Sequence, residues 1–269
     1  MITETIFGKK NPIIGVVHLL PLPTSARWNG DLHGVMERAE QEATALAAGG
    51  VDGIIVENFF DAPFAKNQVD PAVISAMTLI VDRIMNLVML PIGLNVLRND
   101  GMTGMAIASC VGAKFIRVNV YTGAMVTDQG IIEGQAQQLQ RYKRELGQDV
   151  AIFADVLVKH AYPLGVGADL VTAVQDTVER GLADGVIISG GATGLPPSLD
   201  DLKSAQQAVR GTPVLIGSGA DVDNIAELMT GADGVIVASS LKRHGNIQET
   251  IDPTRVSQFV EAVRVMDNG

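Results

Sequence analysis

The chain has 269 residues, 47% of them hydrophobic and 19% charged, with a formal net charge of −10. That length allows one large core of β/α-barrel size, and the even spread of charge excludes a disordered tail. The acidic balance argues against nucleic acid as a partner and against electrostatic docking on anionic lipid, since both need a basic footprint.

At the amino end, MITETIFGKKNPIIG carries no signal-peptide pattern. PIIGVVHLL reads as the first strand. A helix begins near Asp31, places Val35, Met36, Ala39, Ala43 and Leu46 at helical spacing, and stops at Gly49 and Gly50. GIIVEN is the second strand. Asp70 and Pro71, a cap followed by a first-turn proline, open a helix to about Val88, and Pro91 starts the third strand, PIGLNVL. Residues 72–97 are the most apolar region, but Asp82, Arg83, Asn86 and Pro91 interrupt it, so no segment spans a bilayer and any membrane association is peripheral.

A short helix near 101–111 leads into FIRVNV, a helix is expected over 130–146, and VAIFADVLV is the fifth strand. Cys110, the one cysteine, excludes an internal disulfide and points to a reducing, cytoplasmic setting; its helical surroundings predict a buried packing thiol. Residues 169–180 read as helix before GVIISG, and Ser198 with Asp201 forms a capping box for the helix after it. PVLIGSG and GVIVASS are the last strands, with a helix capped by Asp221 between them, and Asp252 with Pro253 opens the final helix. The regular alternation predicts an α/β fold, a TIM barrel of the (β/α)₈ type spanning residues 1–269 as one domain. A doubly wound open sheet is the alternative, and the lack of G-x-G-x-x-G after the first strand counts against its dinucleotide-binding form.

GVDGIIVEN, GAKFIRVNV, LADGVIISG and GADGVIVAS form a weak internal repeat that aligns Glu57, Asn119, Ser189 and Ala238 near the carboxyl ends of their strands. Alternation along each strand then turns His18, Glu57, Asn95, Arg117, Asn119, Asp155 and Lys159 toward the barrel axis. Barrel enzymes keep their chemistry at that end, where a low-dielectric mouth separates the proton affinities of neighbouring acids and bases. Glu57 is the leading acid/base candidate, with Asp155, Lys159 and His18 beside it as catalytic candidates. Arg117 is either an anion holder or a buried partner of Glu57 or Asp155. Asn95, Asn119 and Ser189 are candidate substrate contacts.

Gly217, Ser218 and Gly219 after the seventh strand, and Ala238, Ser239 and Ser240 after the eighth, are small enough to let backbone N–H groups approach a phosphate. Tight turns would explain the same residues. Lys242, Arg243 and His244 follow, either as charge beside that phosphate or as a solvated basic turn. No C-x-x-C, H-x-x-x-H or H-E-x-x-H spacing occurs, so no metal is assigned, although Glu57 and Asp155 offer oxygens to a hard cation. No cofactor is indicated.

IIGVVHLLPLP, GVDGIIVENF, PIGLNVLRND, GAKFIRVNVYTGAMVTDQGII, FADVLVKHA and VLIGSGADVDNI together resemble the BtpA family, in order along residues 12–259, and HLLPLPTSARW, VENFFDAPF and LVKHA resemble its cyanobacterial branch. The resemblance implies a β/α barrel, extrinsic at the cytoplasmic face of the thylakoid and needed for accumulation of the photosystem I reaction-centre complex, with photosystem I subunits or assembly factors as partners. It marks His18, Glu57, Asn58, Asn95, Arg117, Asn119, Asp155, Lys159 and His160 as motif residues. Members outside this branch often lack an acid at position 155 or a lysine at 159. Two readings follow: a photosystem I biogenesis and stability factor, or an enzyme performing acid/base chemistry on a phosphorylated small metabolite. Either can form a homo-oligomer.

Overall fold

The computed structural model describes residues 1–165, 169–191 and 194–267. In chain order the strands are β1 (Ile13–His18), β2 (Gly53–Glu57), β3 (Ile92–Asn95), β4 (Phe115–Val118), β5 (Ala124–Thr127), β6 (Gly130–Glu133), β7 (Ala151–Val156), β8 (Ala161–Pro163), β9 (Gly185–Ile188), β10 (Val214–Ile216) and β11 (Val235–Val237). The helices are α1 (Ile2–Phe7), α2 (Leu32–Gly49), α3 (Pro71–Leu87), α4 (Gly101–Val111), α5 (Ala136–Leu146), α6 (Leu170–Gln175), α7 (Leu199–Ala208), α8 (Ile225–Leu228) and α9 (Pro253–Asp267). Parallel strands close a barrel in the order β1-β11-β10-β9-β7-β4-β3-β2, which is the expected (β/α)₈ topology.

Four helices are capped at the starts the sequence predicts for them. The carboxylates of Asp31, Asp70 and Asp169 accept backbone N–H bonds at the starts of α2, α3 and α6, and Ser198 does so at α7. The internal repeat also acquires a mechanism. In GVDG, LADG and GADG the aspartate before each strand accepts an N–H from the preceding strand of the barrel: Asp52 from Ile13 at 2.7 Å, Asp184 from Ile152 at 2.8 Å and Asp233 from Val214 at 3.0 Å. Each bond ties two neighbouring strands at the amino end of the barrel and so sets their register.

Strand alternation sorts the apolar residues into an outer layer beneath the helices and an inner cluster that includes Ile14, Val16, Ile55, Phe115, Phe153, Ile187, Leu215 and Ile236. The inner cluster closes on α1, an element the sequence reading did not anticipate. Phe7 of α1 meets Phe115 edge-on at 5.4 Å, and Phe115 lies 5.4 Å from Phe153. Room for these rings comes from glycines on the inward face. A Cβ on Gly93 would lie 2.2 Å from Phe115, one on Gly53 2.5 Å from Phe7, and one on Gly185 2.6 Å from Phe153.

Several local expectations are corrected. Residues 130–146 are not one helix: Gly130–Glu133 is β6, which pairs antiparallel with β5, and only Ala136–Leu146 is helical. The β5–β6 hairpin and β8 form a small sheet in the loops after β4 and β7, joined by Met125, Ile132, Val120 and Val158. Pairing of β6 with β5, and of β5 with β8, decides these residues rather than any local helical periodicity. Asp221 caps no helix; it accepts from the N–H groups of Asp223 and Asn224 in a turn, and α8 begins at Ile225 after Asn224. Cys110 is a free thiol but exposed, because α4 turns Met105, Ile107 and Ala108 inward and leaves Cys110 on the outer side. Among the described residues no helix is long and apolar enough to cross a membrane.

Candidate functional site

His18, Glu57 and Asn95 end β1, β2 and β3 as register neighbours, while Arg117 lies in β4, Asn119 just beyond it, and Asp155 in β7. All six are buried. Arg117 is the centre of the group. Its Nε and Nη2 donate to Asp155 Oδ2 and Oδ1 at 2.8 and 2.9 Å, and its Nη1 donates to Glu57 Oε1 at 3.2 Å. Asn95 Nδ2 also donates to Glu57 Oε1, at 3.2 Å, and Asn119 Nδ2 to Asp155 Oδ2 at 2.9 Å. Burial opposes the charge on Arg117, but Asp155 and Glu57 outweigh it and hold the guanidinium above its ordinary proton affinity.

The two carboxylates therefore differ in availability. Asp155 has a side-chain exposure of 0% and both of its oxygens engaged. Glu57 Oε2 accepts no hydrogen bond among the described residues and stands 3.7 Å from His18 Nε2. The His18 ring stacks on Phe59 at 4.3 Å, and its Nδ1 is buried without a partner among the described residues. Burial first, then the positive charges of Lys242, Lys159 and Arg117, push His18 well below the usual imidazole range, so the ring is neutral at pH 7. A neutral imidazole beside a carboxylate with a free oxygen can exchange a proton with a bound molecule.

These groups floor a cavity of about 380 Å³, within the size range of small-molecule sites. His18, Glu57, Asn95, Arg117, Asn119 and Lys159 line it, as do Gly217, Ser218, Gly219, Ser239 and Ser240. Asp155 and Ser189 lie off its wall: Asp155 sits behind Arg117, and the Ser189 hydroxyl is buried against Gly217, whose Cβ would fall 2.5 Å from it. The loops after β10 and β11 thus reach the mouth as expected, with part of their chemistry already engaged. Ser218 Oγ donates to the Leu195 carbonyl and Ser240 Oγ to that of Ala220. Gly219 takes a φ of +72° and passes so close to Pro196 that a Cβ would lie 2.1 Å from its nitrogen, so turn geometry alone accounts for a glycine there.

Lys242 belongs to neither role foreseen for it. It is fully buried, and its Nζ donates to both oxygens of Glu42 on α2 at 2.8 and 2.7 Å. Lys159 and His160 both line the mouth; burial, before any charge, lowers the proton affinity of each. Arg117 stands between Glu57 and Asp155, which removes that pair as joint ligands of a cation, and no cluster of three His, Cys, Asp or Glu among the described residues could hold a metal.

Of the residues that brace the mouth, the sequence reading named only Asn58, as a motif residue without a role, and missed Asp61, Arg98 and Asn99. Asp61 accepts the Leu22 N–H at 2.7 Å, Asn58 accepts that of Leu97 at 2.7 Å, and Asn99 accepts that of Val120 at 2.7 Å while donating to its carbonyl at 2.9 Å. Loops after β1, β2, β3 and β4 are thereby stapled in succession. Arg98 extends the series, its Nη2 donating to the Lys159 carbonyl at 2.9 Å. The one available signal was the polar run RND after an apolar strand, where a solvated loop is the ordinary expectation.

The BtpA family profile matches residues 9–265. The chain is 73% identical to the photosystem I biogenesis protein BtpA of Synechocystis sp., over 96% of this chain and 89% of that one. It is 44% identical to an uncharacterised protein of Thermococcus kodakarensis over 95% and 96% of the two chains. Among solved structures, thiamine phosphate pyrophosphorylase from Pyrococcus furiosus superposes with a TM-score of 0.61 at 12% identity, over 96% of this chain and 98% of that one, a likeness of fold alone. Matched along nearly its whole length by the profile and by its relatives, the chain belongs to the BtpA family.

Proposed function

We propose that the barrel mouth binds a phosphorylated small metabolite and moves a proton on it through Glu57, and that this site underlies a role in accumulation of photosystem I at the cytoplasmic face of the thylakoid. The observation that carries the site reading is the buried network of Glu57 and Arg117 on the cavity floor with Asp155 behind them, in which Glu57 alone of the two carboxylates keeps an oxygen free among the described residues. Glu57 acts as base or acid, neutral His18 relays or positions the proton, and Arg117, held in place by Asp155, fixes the carboxylate. The charge around the mouth agrees. In a chain of net charge −10, the wall carries Arg27, Arg98, Arg117 and Lys159 against Glu57 and Asp221, which draws an anion inward. Small residues after β10 and β11 are the expected seat of a phosphate. The photosystem I role rests on the likeness to the Synechocystis protein, and archaeal relatives such as the Thermococcus one support a small-molecule activity older than photosynthesis.

A second reading, assembly by direct contact, is favoured by one feature. Ile131, Val126 and Tyr162 are register partners across β6, β5 and β8, exposed by 43%, 39% and 78%, and form an apolar row beside the mouth. The two readings separate in a strain lacking the gene. Photosystem I content is expected to fall on deletion, to return with the wild-type gene, and not to return with a folded Glu57→Gln protein. Rescue by Glu57→Gln would leave contact as the function. Unchanged photosystem I on deletion would sink the photosystem role.

A further inference from the structure

Arg117 and Arg98 are buried alike, with 6% and 7% exposure, yet only Arg117 has counter-charges in contact. Arg98 makes no ion pair among the described residues. Its Nη2 is bound to a carbonyl, that of Lys159, and its Nε is buried with no partner among the described residues. Asp128 and Asp155 act on it only at longer range; Asp128 is bound by Gln129 and Asp155 by Arg117 and Asn119. Lys159 lines the same cavity, also without an ion pair among the described residues; burial and the repulsion of Arg117 and Arg98 lower its proton affinity, and the longer-range attraction of Asp155 and Glu57 offsets this only in part. Holding a buried guanidinium beside a half-buried ammonium, with no carboxylate in contact with either among the described residues, costs stability, and a ligand that supplies the missing charge would offset it.

Their position in the ring adds a direction. Gly217 to Gly219 follow β10 and Ser239 follows β11, adjacent strands on one arc of the barrel. Arg98 follows β3 and Lys159 follows β7, the two strands that flank β4 on the opposite arc. Glu57 and Arg117 occupy the floor between these arcs.

The geometry points to a second anion subsite made by Arg98 and Lys159, so that the natural ligand carries two anionic groups, a phosphate at the loops after β10 and β11 and a carboxylate or second phosphate across the mouth. This deepens the proposed function and rests on it for the phosphate end. A guanidinium with unused N–H donors suits planar or tetrahedral anionic oxygens, and the neighbouring ammonium adds a point charge that accepts either. A ligand gripped at both ends would also have its middle carbons held over Glu57, where a proton would be removed or returned.

Calorimetric titration of the full-length protein with glycerol 3-phosphate, glycerate and 3-phosphoglycerate tests this. Wild type is expected to bind 3-phosphoglycerate at least about tenfold more tightly than glycerol 3-phosphate, the gain typical of a hydrogen-bonded charge pair. Arg98→Met should remove that advantage, lowering the affinity for 3-phosphoglycerate by about tenfold more than it lowers that for glycerol 3-phosphate. Lys159→Met, whose side chain braces no loop, should reduce it in a protein whose fold is not at risk. Equal affinities for the two phosphates in wild type, or an advantage that survives both substitutions, would overturn the subsite. If glycerol 3-phosphate fails to bind while glycerate binds in an Arg98-dependent manner, the phosphate seat is wrong and the subsite stands. Binding of none of the three overturns both.

Discussion

Arg117→Met and Asp155→Asn, made singly and together, measure whether the buried pair on the cavity floor is the unit the geometry describes. Removing the guanidinium leaves Asp155, with 0% side-chain exposure, holding only the Asn119 amide, and takes one of two donors from Glu57. Neutralising Asp155 leaves a buried guanidinium with Glu57 at 3.2 Å as its one remaining counter-charge. Each single change is expected to cost about 3–5 kcal/mol, the usual penalty for stranding one partner of a buried ion pair. The double variant strands less: the amide introduced at position 155 still accepts from Asn119, and Glu57 keeps Asn95. Its cost should fall short of the sum of the singles by about 2 kcal/mol or more. Because the proton affinity of Arg117 is raised in the folded chain, its contribution is complete below the unfolded arginine range and is lost only above it, so urea unfolding near pH 7.5 reads all of it. Costs that add within about 0.5 kcal/mol, or a single variant that loses less than about 1 kcal/mol, would refute the reasoning.

Two further outcomes are expected. Folded His18 binds its proton well below the ordinary imidazole range of 6.5, so as pH falls through that range the unfolded chain gains a proton that the folded chain refuses. Stability conferred by the neutral ring is therefore present above pH 6.5 and lost on acidification, by up to about 1.4 kcal/mol per pH unit. Subtracting the pH–stability profile of His18→Gln from that of wild type isolates this limb; parallel profiles between pH 7 and pH 5 would sink the assignment. Lys242→Met should cost about 3–5 kcal/mol in urea unfolding, because Glu42, 1% exposed, would keep only Arg38 at 3.2 Å. A change within about 0.5 kcal/mol is what a solvated basic turn would give, and would place Lys242 at the surface.

Much of the fold was legible because its signals are local. Alternating apolar runs, capped helices and Gly-marked helix ends each depend on a few consecutive residues, and Asp31, Asp70, Asp169 and Ser198 cap the helices that their sequence context announces. Inward parity is equally local, so His18, Glu57, Asn95, Arg117 and Asn119 could be directed to the mouth from strand alternation. The same locality explains the failures. AMVT and GIIE form strands because they pair with each other and AMVT pairs in turn with β8, more than twenty residues further along the chain. Lys242 looks like a surface residue until α2 brings Glu42 against it, 200 residues away in sequence.

What strand parity left undecided was the role of each residue at the mouth, and closure of the barrel decides it. Glu57 and Asp155 are both carboxylates facing inward from their strands, indistinguishable by pattern. Only the circular order β7-β4-β3-β2 puts Arg117 between them, engages both oxygens of Asp155 and leaves one of Glu57 open. Likewise Arg98, in a run that reads as a solvated loop, becomes a buried cation because the loop after β7 folds across it. Burial and charge pairing are properties of neighbours brought together by the closed sheet, and those neighbours are set by the whole chain rather than by any stretch of it.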